Sequence, residues 1–148
     1  MHYISKFVVL TGLFIASLLL VANAASAAEV KISNAWLKES IPGTENGAGY
    51  LTLTNVGSNA VTLVGATTDA ARATEVHQHI HQDGMMRMKR IPELIVEPNQ
   101  TIVFQPGGYH LMLFGVKNAF RVGESIEFVL LFSDGDRVPF AAEVQPLR

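Results

Sequence analysis

Four histidines, His77, His79, His81 and His110, and four methionines, Met85, Met86, Met88 and Met112, fall inside one window of the chain, from His77 to Met112. Outside it, both types occur only within the first 27 residues, as Met1 and His2. Imidazole nitrogen and thioether sulfur together suit a soft or borderline metal, and among biological ions that pair points first to copper, Cu(I) in particular. Methionine also fills gaps in cores, and histidine decorates hairpins. That ordinary use accounts for any one of these residues, but not for the confinement of both types to one window.

The elements that must position these donors are strands. Thr74 to His81 reads as a strand, Asp83-Gly84 as a two-residue turn and Met85 to Ile91 as the return. In that register Gln82 faces Met85, His81 faces Met86, His79 faces Met88 and His77 is diagonal to Met88. Side chains alternate along a strand, so His77, His79, His81, Met86 and Met88 share one face. Tyr109 to Phe114 (YHLMLF) is a further strand with His110 and Met112 on one face and Leu111 and Leu113 on the other. Two pairs, His77 with Met88 across a hairpin and His110 with Met112 along a strand, can therefore converge on one ion. His79 is an alternative to His77, and His81, Met85 and Met86 are weaker candidates at the hairpin tip. Glu75 and Arg87, near the site, are candidates to tune its charge or contact a partner, although charged residues on a hairpin are usually just solvated. Tyr109 is assigned to core packing.

The rest of the chain repeats the strand pattern. Val30 to Lys38 contains Trp36, read as a core anchor. Ala48 to Asn55 and Ala60 to Ala66 read as a hairpin around Gly57-Ser58-Asn59, and Thr67 to Ala73 as a loop or a single helical turn. Ile95 to Glu97, Gln100 to Phe104, and a final hairpin of Glu124 to Phe132 with Arg137 to Val144 complete the chain. About seven to nine short strands with little helical periodicity predict an all-β, single-domain fold, an antiparallel β-sandwich with Greek-key connections.

Residues 1–27 combine Lys6, an apolar run from Phe7 to Val21 and a small-residue tail, the layout of a cleaved secretory signal peptide. The run is shorter than the roughly 20 residues that span a bilayer, so no stable membrane insertion is expected after cleavage. The remaining domain, 28–148, loses one cation and no acid from a total of 11 Lys+Arg and 13 Asp+Glu, leaving a net charge of −3. That balance recruits no nucleic acid. The chain has no cysteine, which excludes a blue-copper thiolate site and thiol-disulfide chemistry for this chain acting alone.

The spacing of His77, ten residues, Met88, twenty-one residues, His110, one residue and Met112 resembles the motif of the periplasmic copper chaperone family called PCu(A)C. Asn34-Ala35-Trp36, Pro42-Gly43, AGYLTLTN from Ala48, Asp83-Gly84 and PGGYHLML from Pro106 follow the same order as that family's features, so the resemblance covers essentially all of residues 28–148. It implies a cupredoxin-like β-sandwich binding Cu(I) at an exposed site through His77, Met88, His110 and Met112. It further implies a periplasmic location and delivery of copper to a cuproprotein acceptor such as cytochrome c oxidase subunit II, in some members alongside a Sco-type protein. The His/Met-rich tail of some members is missing here.

Two other readings compete with the carrier. An enzyme would need a site stable in both copper oxidation states and a general acid or base, yet two thioethers favour Cu(I) and no carboxylate lies at motif spacing with the four donors. A metal-independent secreted β-sandwich acting as an interaction module is the other. It predicts that leucine can replace Met88 and Met112 without loss of function.

Overall fold

A computed structural model describes residues 28–147; the leader expected over residues 1–27 lies outside the described residues, as does Arg148. Among the described residues every regular element is a strand: β1 (Val30–Lys38), β2 (Asn46–Asn55), β3 (Val61–Thr67), β4 (Ala71–Gln82), β5 (Met85–Arg90), β6 (Leu94–Val96), β7 (Thr101–Val103), β8 (Tyr109–Val116), β9 (Ser125–Phe132) and β10 (Arg137–Gln145). The all-β, single-domain expectation holds.

Seven of these strands follow one another as β4-β8-β2-β1-β10-β9-β3, and the pair Ala66↔Thr74 joins β3 back to β4, so the sheet closes on itself like a barrel. Alternation explains what fills it. Leu51 and Leu53 of β2, Leu111 and Leu113 of β8, and Phe128, Leu130 and Phe132 of β9 are buried at every second position, as the interior of a small barrel requires. Each such side chain contributes about 1.5–3 kcal/mol by leaving water.

Three expectations are corrected. β1 and β10 run parallel, through Trp36↔Glu143, Leu37↔Val144 and Lys38↔Gln145, so the sheet is not wholly antiparallel. A bulge between Ser33 and Trp36, with Asn34 at φ 51°, bends β1 as it reaches this partner. Secondly, β2 and β3 do not form a hairpin. β2 pairs with β1 on one edge and with β8 and β7 on the other, while β3 pairs with β4, β6 and β9. The buried Asn55 side chain donates to the carbonyls of Asn59 (2.7 Å) and Val96 (2.9 Å) and accepts from the Gly57 N–H (3.0 Å), fixing a crossing instead of a tight return. Thirdly, Ala71 to Ala73 are extended and belong to β4, because their ladder runs along β8 from Ala71↔Val116.

β4 outruns β3. Its N-terminal half completes the barrel, and from His77 to Gln82 the same edge pairs with β5 alone. The hairpin β4–β5 thus projects from the barrel, with every β5 residue exposed.

Candidate metal centre

Asp83 and Gly84 adopt φ of 53° and 74°, the left-handed pair that a two-residue hairpin turn of type I′ demands. That turn fixes the register read from the sequence: Gln82↔Met85, His81↔Met86 and His79↔Met88. On the other side of β4, His77 faces His110 and Glu75 faces Met112 of β8. Directly opposed residues share a face, so β5, β4 and β8 present Met86, Met88, His77, His79, His81, His110 and Met112 together. The intervening Val76, Leu111 and Leu113 point into the core.

His79, Met88, His110 and Met112 line one cleft of ≈ 330 Å³, together with Lys38, Ala48 and Tyr50. His77 stands beside it; its ring centroid is 5.9 Å from that of His110, whereas the His79 centroid is 4.9 Å away. Exposure is graded: His110 is 2% exposed and Met88 50%. His81 and Met86 lie farther out, both exposed at the hairpin tip.

The hydrogen bonds decide which ring nitrogens are free. The Gly108 carbonyl lies 3.2 Å from His110 Nδ1. A carbonyl only accepts, so Nδ1 carries the proton and Nε2 of the neutral ring keeps its lone pair. Glu75 Oε2 lies 2.8 Å from His77 Nε2, which likewise leaves His77 Nδ1 as the lone-pair nitrogen, and Arg90 Nε is 3.4 Å from the same carboxylate oxygen. Nε2 of His110 and Nδ1 of both His77 and His79 are buried with no hydrogen-bond partner among the described residues. Such orphaned ring nitrogens carry a desolvation cost that a metal ion would relieve. Burial pushes the His110 imidazole below its ordinary pKa; the Gly108 hydrogen bond opposes this, and the nearby charges of His79, His77 and Lys38 add to it. The ring is held in the neutral form that can ligate.

Among the described residues no three His, Cys, Asp or Glu side chains come close enough to hold a metal by themselves. The cleft adds two thioethers, those of Met88 and Met112, to the imidazoles of His79 and His110. Thioethers fit Cu(I) and suit zinc, calcium or magnesium poorly.

Three residues differ in role from the sequence reading. Arg90, not Arg87, meets Glu75; Arg87 is opposite Ile80 and projects from the other face. Lys38 and Tyr50 line the cleft and were not anticipated. Their approach depends on the pairing of β2 with both β1 and β8, which local patterns do not announce. Tyr50 packs on Trp36, ring centroids 4.5 Å apart, and burial raises its phenol pKa. Tyr109 packs against the core, as expected.

The model of a family described as "Putative lipoprotein LpqE-like" matches residues 30–144. A curated relative from Leifsonia xyli subsp. xyli, also described as a lipoprotein, is 32% identical over 117 residues, covering 78% of this chain and 69% of its own length. An uncharacterized protein of Rickettsia prowazekii is 29% identical over 90 residues, and the chain spans 50% of its length. Among solved structures, the Cu(I) form of DR1885 from Deinococcus radiodurans is 33% identical with a TM-score of 0.65 and 83% of each chain covered. The copper-bound PCuAC domain from PmoF2 has a TM-score of 0.68, covers 82% of this chain and 97% of its own, and at 21% identity shows the fold alone.

Proposed function

The chain belongs to the LpqE-like family, with PCuAC domains as its structural neighbours, and from that premise we propose that it is a periplasmic Cu(I) carrier. The single observation that carries this reading is the buried, unpartnered Nε2 of His110 beside a cleft lined by the thioethers of Met88 and Met112. His77 Nδ1, Met88 Sδ, His110 Nε2 and Met112 Sδ form the proposed ligand set of a cupredoxin-like domain. The motif spacing selects His77.

The donors explain carriage better than catalysis. All four are neutral, so they bind Cu(I) less tightly than thiolates do and survive in an oxidising compartment where a free thiolate would not. Release to an acceptor that offers cysteine thiolates is then downhill. The acceptor we propose is a cuproprotein such as cytochrome c oxidase subunit II, met directly or together with a Sco-type protein. Copper stays Cu(I) throughout, and no turnover is asked of the chain. Half-exposed Met88 is where an acceptor's ligand first reaches the ion. Buried His110 holds on longest.

X-ray absorption of the protein loaded with one equivalent of Cu(I) tests the reading. Mixed nitrogen and sulfur scatterers, with the sulfur contribution lost in a Met88→Leu/Met112→Leu variant, are the expected result. A nitrogen-only or oxygen-only shell in the parent would overturn it.

A further inference from the structure

Five donors, not four, stand around the cleft. We infer that His79 is also a copper ligand and that it exchanges with His77 at one coordination position as the ion moves between the depth of the site and its mouth. This rests on the copper reading above.

His79 is directly opposite Met88 on the β4–β5 ladder, whereas His77 is opposite Arg90. With Met88, His110 and Met112, His79 lines the cleft that His77 only flanks. The His79 ring is nearer to the His110 ring, at 4.9 Å against 5.9 Å.

Donor availability points the same way. His79 Nδ1 is buried with no hydrogen-bond partner among the described residues, as are His77 Nδ1 and His110 Nε2. The backbone sets His79 against His110, because the Gly108 carbonyl accepts both the His79 backbone N–H and the His110 Nδ1–H, each at 3.2 Å. One carbonyl thereby ties the two imidazoles to a common point.

The two competing rings are not equivalent. His77 is anchored by the Glu75 carboxylate at 2.8 Å, with only 12% of its side chain exposed. His79 has no such anchor and sits across from the half-exposed Met88. Met88, His110 and Met112 are common to both arrangements; the ion's coordination is completed by His77 in the deeper one and by His79, across from Met88, in the one nearer the mouth. In the exchange one Cu–N bond to His79 Nδ1 forms as the bond to His77 Nδ1 breaks. One imidazole lone pair replaces another, no proton moves and the metal stays Cu(I), so the ion approaches the surface without a change of charge.

The test is long-range ¹H–¹⁵N NMR of the histidine side chains in the protein, before and after one equivalent of Cu(I), joined to the rate at which a chromogenic chelator strips copper from His79→Ala. The inference expects the Nδ1 resonances of both His77 and His79 to shift with His110 Nε2, and stripping to slow several-fold in the variant. If His77 and His110 shift while His79 does not, the inference falls and the copper reading stands. A shift of His79 with His77 unmoved, or unchanged stripping in the variant, overturns the exchange. If no imidazole responds and no copper is retained, both readings fall.

Discussion

Glu75 Oε2 lies 2.8 Å from His77 Nε2, so a carboxylate backs the imidazole whose spacing best marks it as a ligand. Outer partners of this kind fix ring tautomer and raise donor strength, and losing one weakens metal affinity by about 10–100-fold. Glu75→Ala is therefore expected to weaken Cu(I) binding within that range, and Glu75→Gln, which keeps an acceptor, by less. Competition against a chromogenic Cu(I) chelator measures both. Unchanged affinity in Glu75→Ala would remove His77 from the ligand set.

Acid should destabilise the copper-free protein. Burial holds the folded His110 imidazole below its ordinary pKa of 6.5, so the unfolded chain takes up that proton first as the pH falls. The stability involved is fully present above pH 6.5 and is lost as the pH drops towards and through the depressed value. Urea unfolding at about pH 7.5 and about pH 5.5 should show the midpoint falling, and falling less in His110→Gln. An equal decline in both proteins would show that other groups carry the effect.

Asn55 is fully buried and satisfies three backbone groups, those of Asn59, Val96 and Gly57. Asn55→Ala strands them and should cost about 2–4 kcal/mol. Its place at the β2–β3 crossing, away from the cleft, predicts that copper affinity at temperatures well below unfolding is unchanged. Denaturant unfolding and the chelator titration separate the two effects.

How much the sequence disclosed depended on range. The β4–β5 register followed from one dipeptide, Asp83-Gly84, because a two-residue turn leaves no freedom in which residues face each other. Strand alternation likewise placed His110 with Met112 and sent Leu111 and Leu113 inward. What stayed hidden was set by pairings distant in sequence. The closing contact Ala66↔Thr74 and the parallel pair of β1 with β10 leave no local signature. The same applies to the supposed β2–β3 hairpin, whose strands alternate as paired strands do but find their partners elsewhere. At the site, spacing drew attention to His77, while the cleft is lined by His79. Both lie on one face, and their surroundings differ through the packing of β8, the Gly108 carbonyl and the Glu75 carboxylate that backs His77.

The most direct measurement of the central claim is a Cu(I) titration of the protein against a competing chromogenic chelator, run beside Met88→Leu/Met112→Leu. Leucine keeps the volume and removes the sulfur, so the circular dichroism of the variant should match the parent. Tight one-to-one binding by the parent, much weakened in the variant, is the predicted result. A parent that fails to compete for Cu(I), or a variant that binds as well as the parent, would contradict a copper site at these thioethers and bring the metal-independent interaction module to the front.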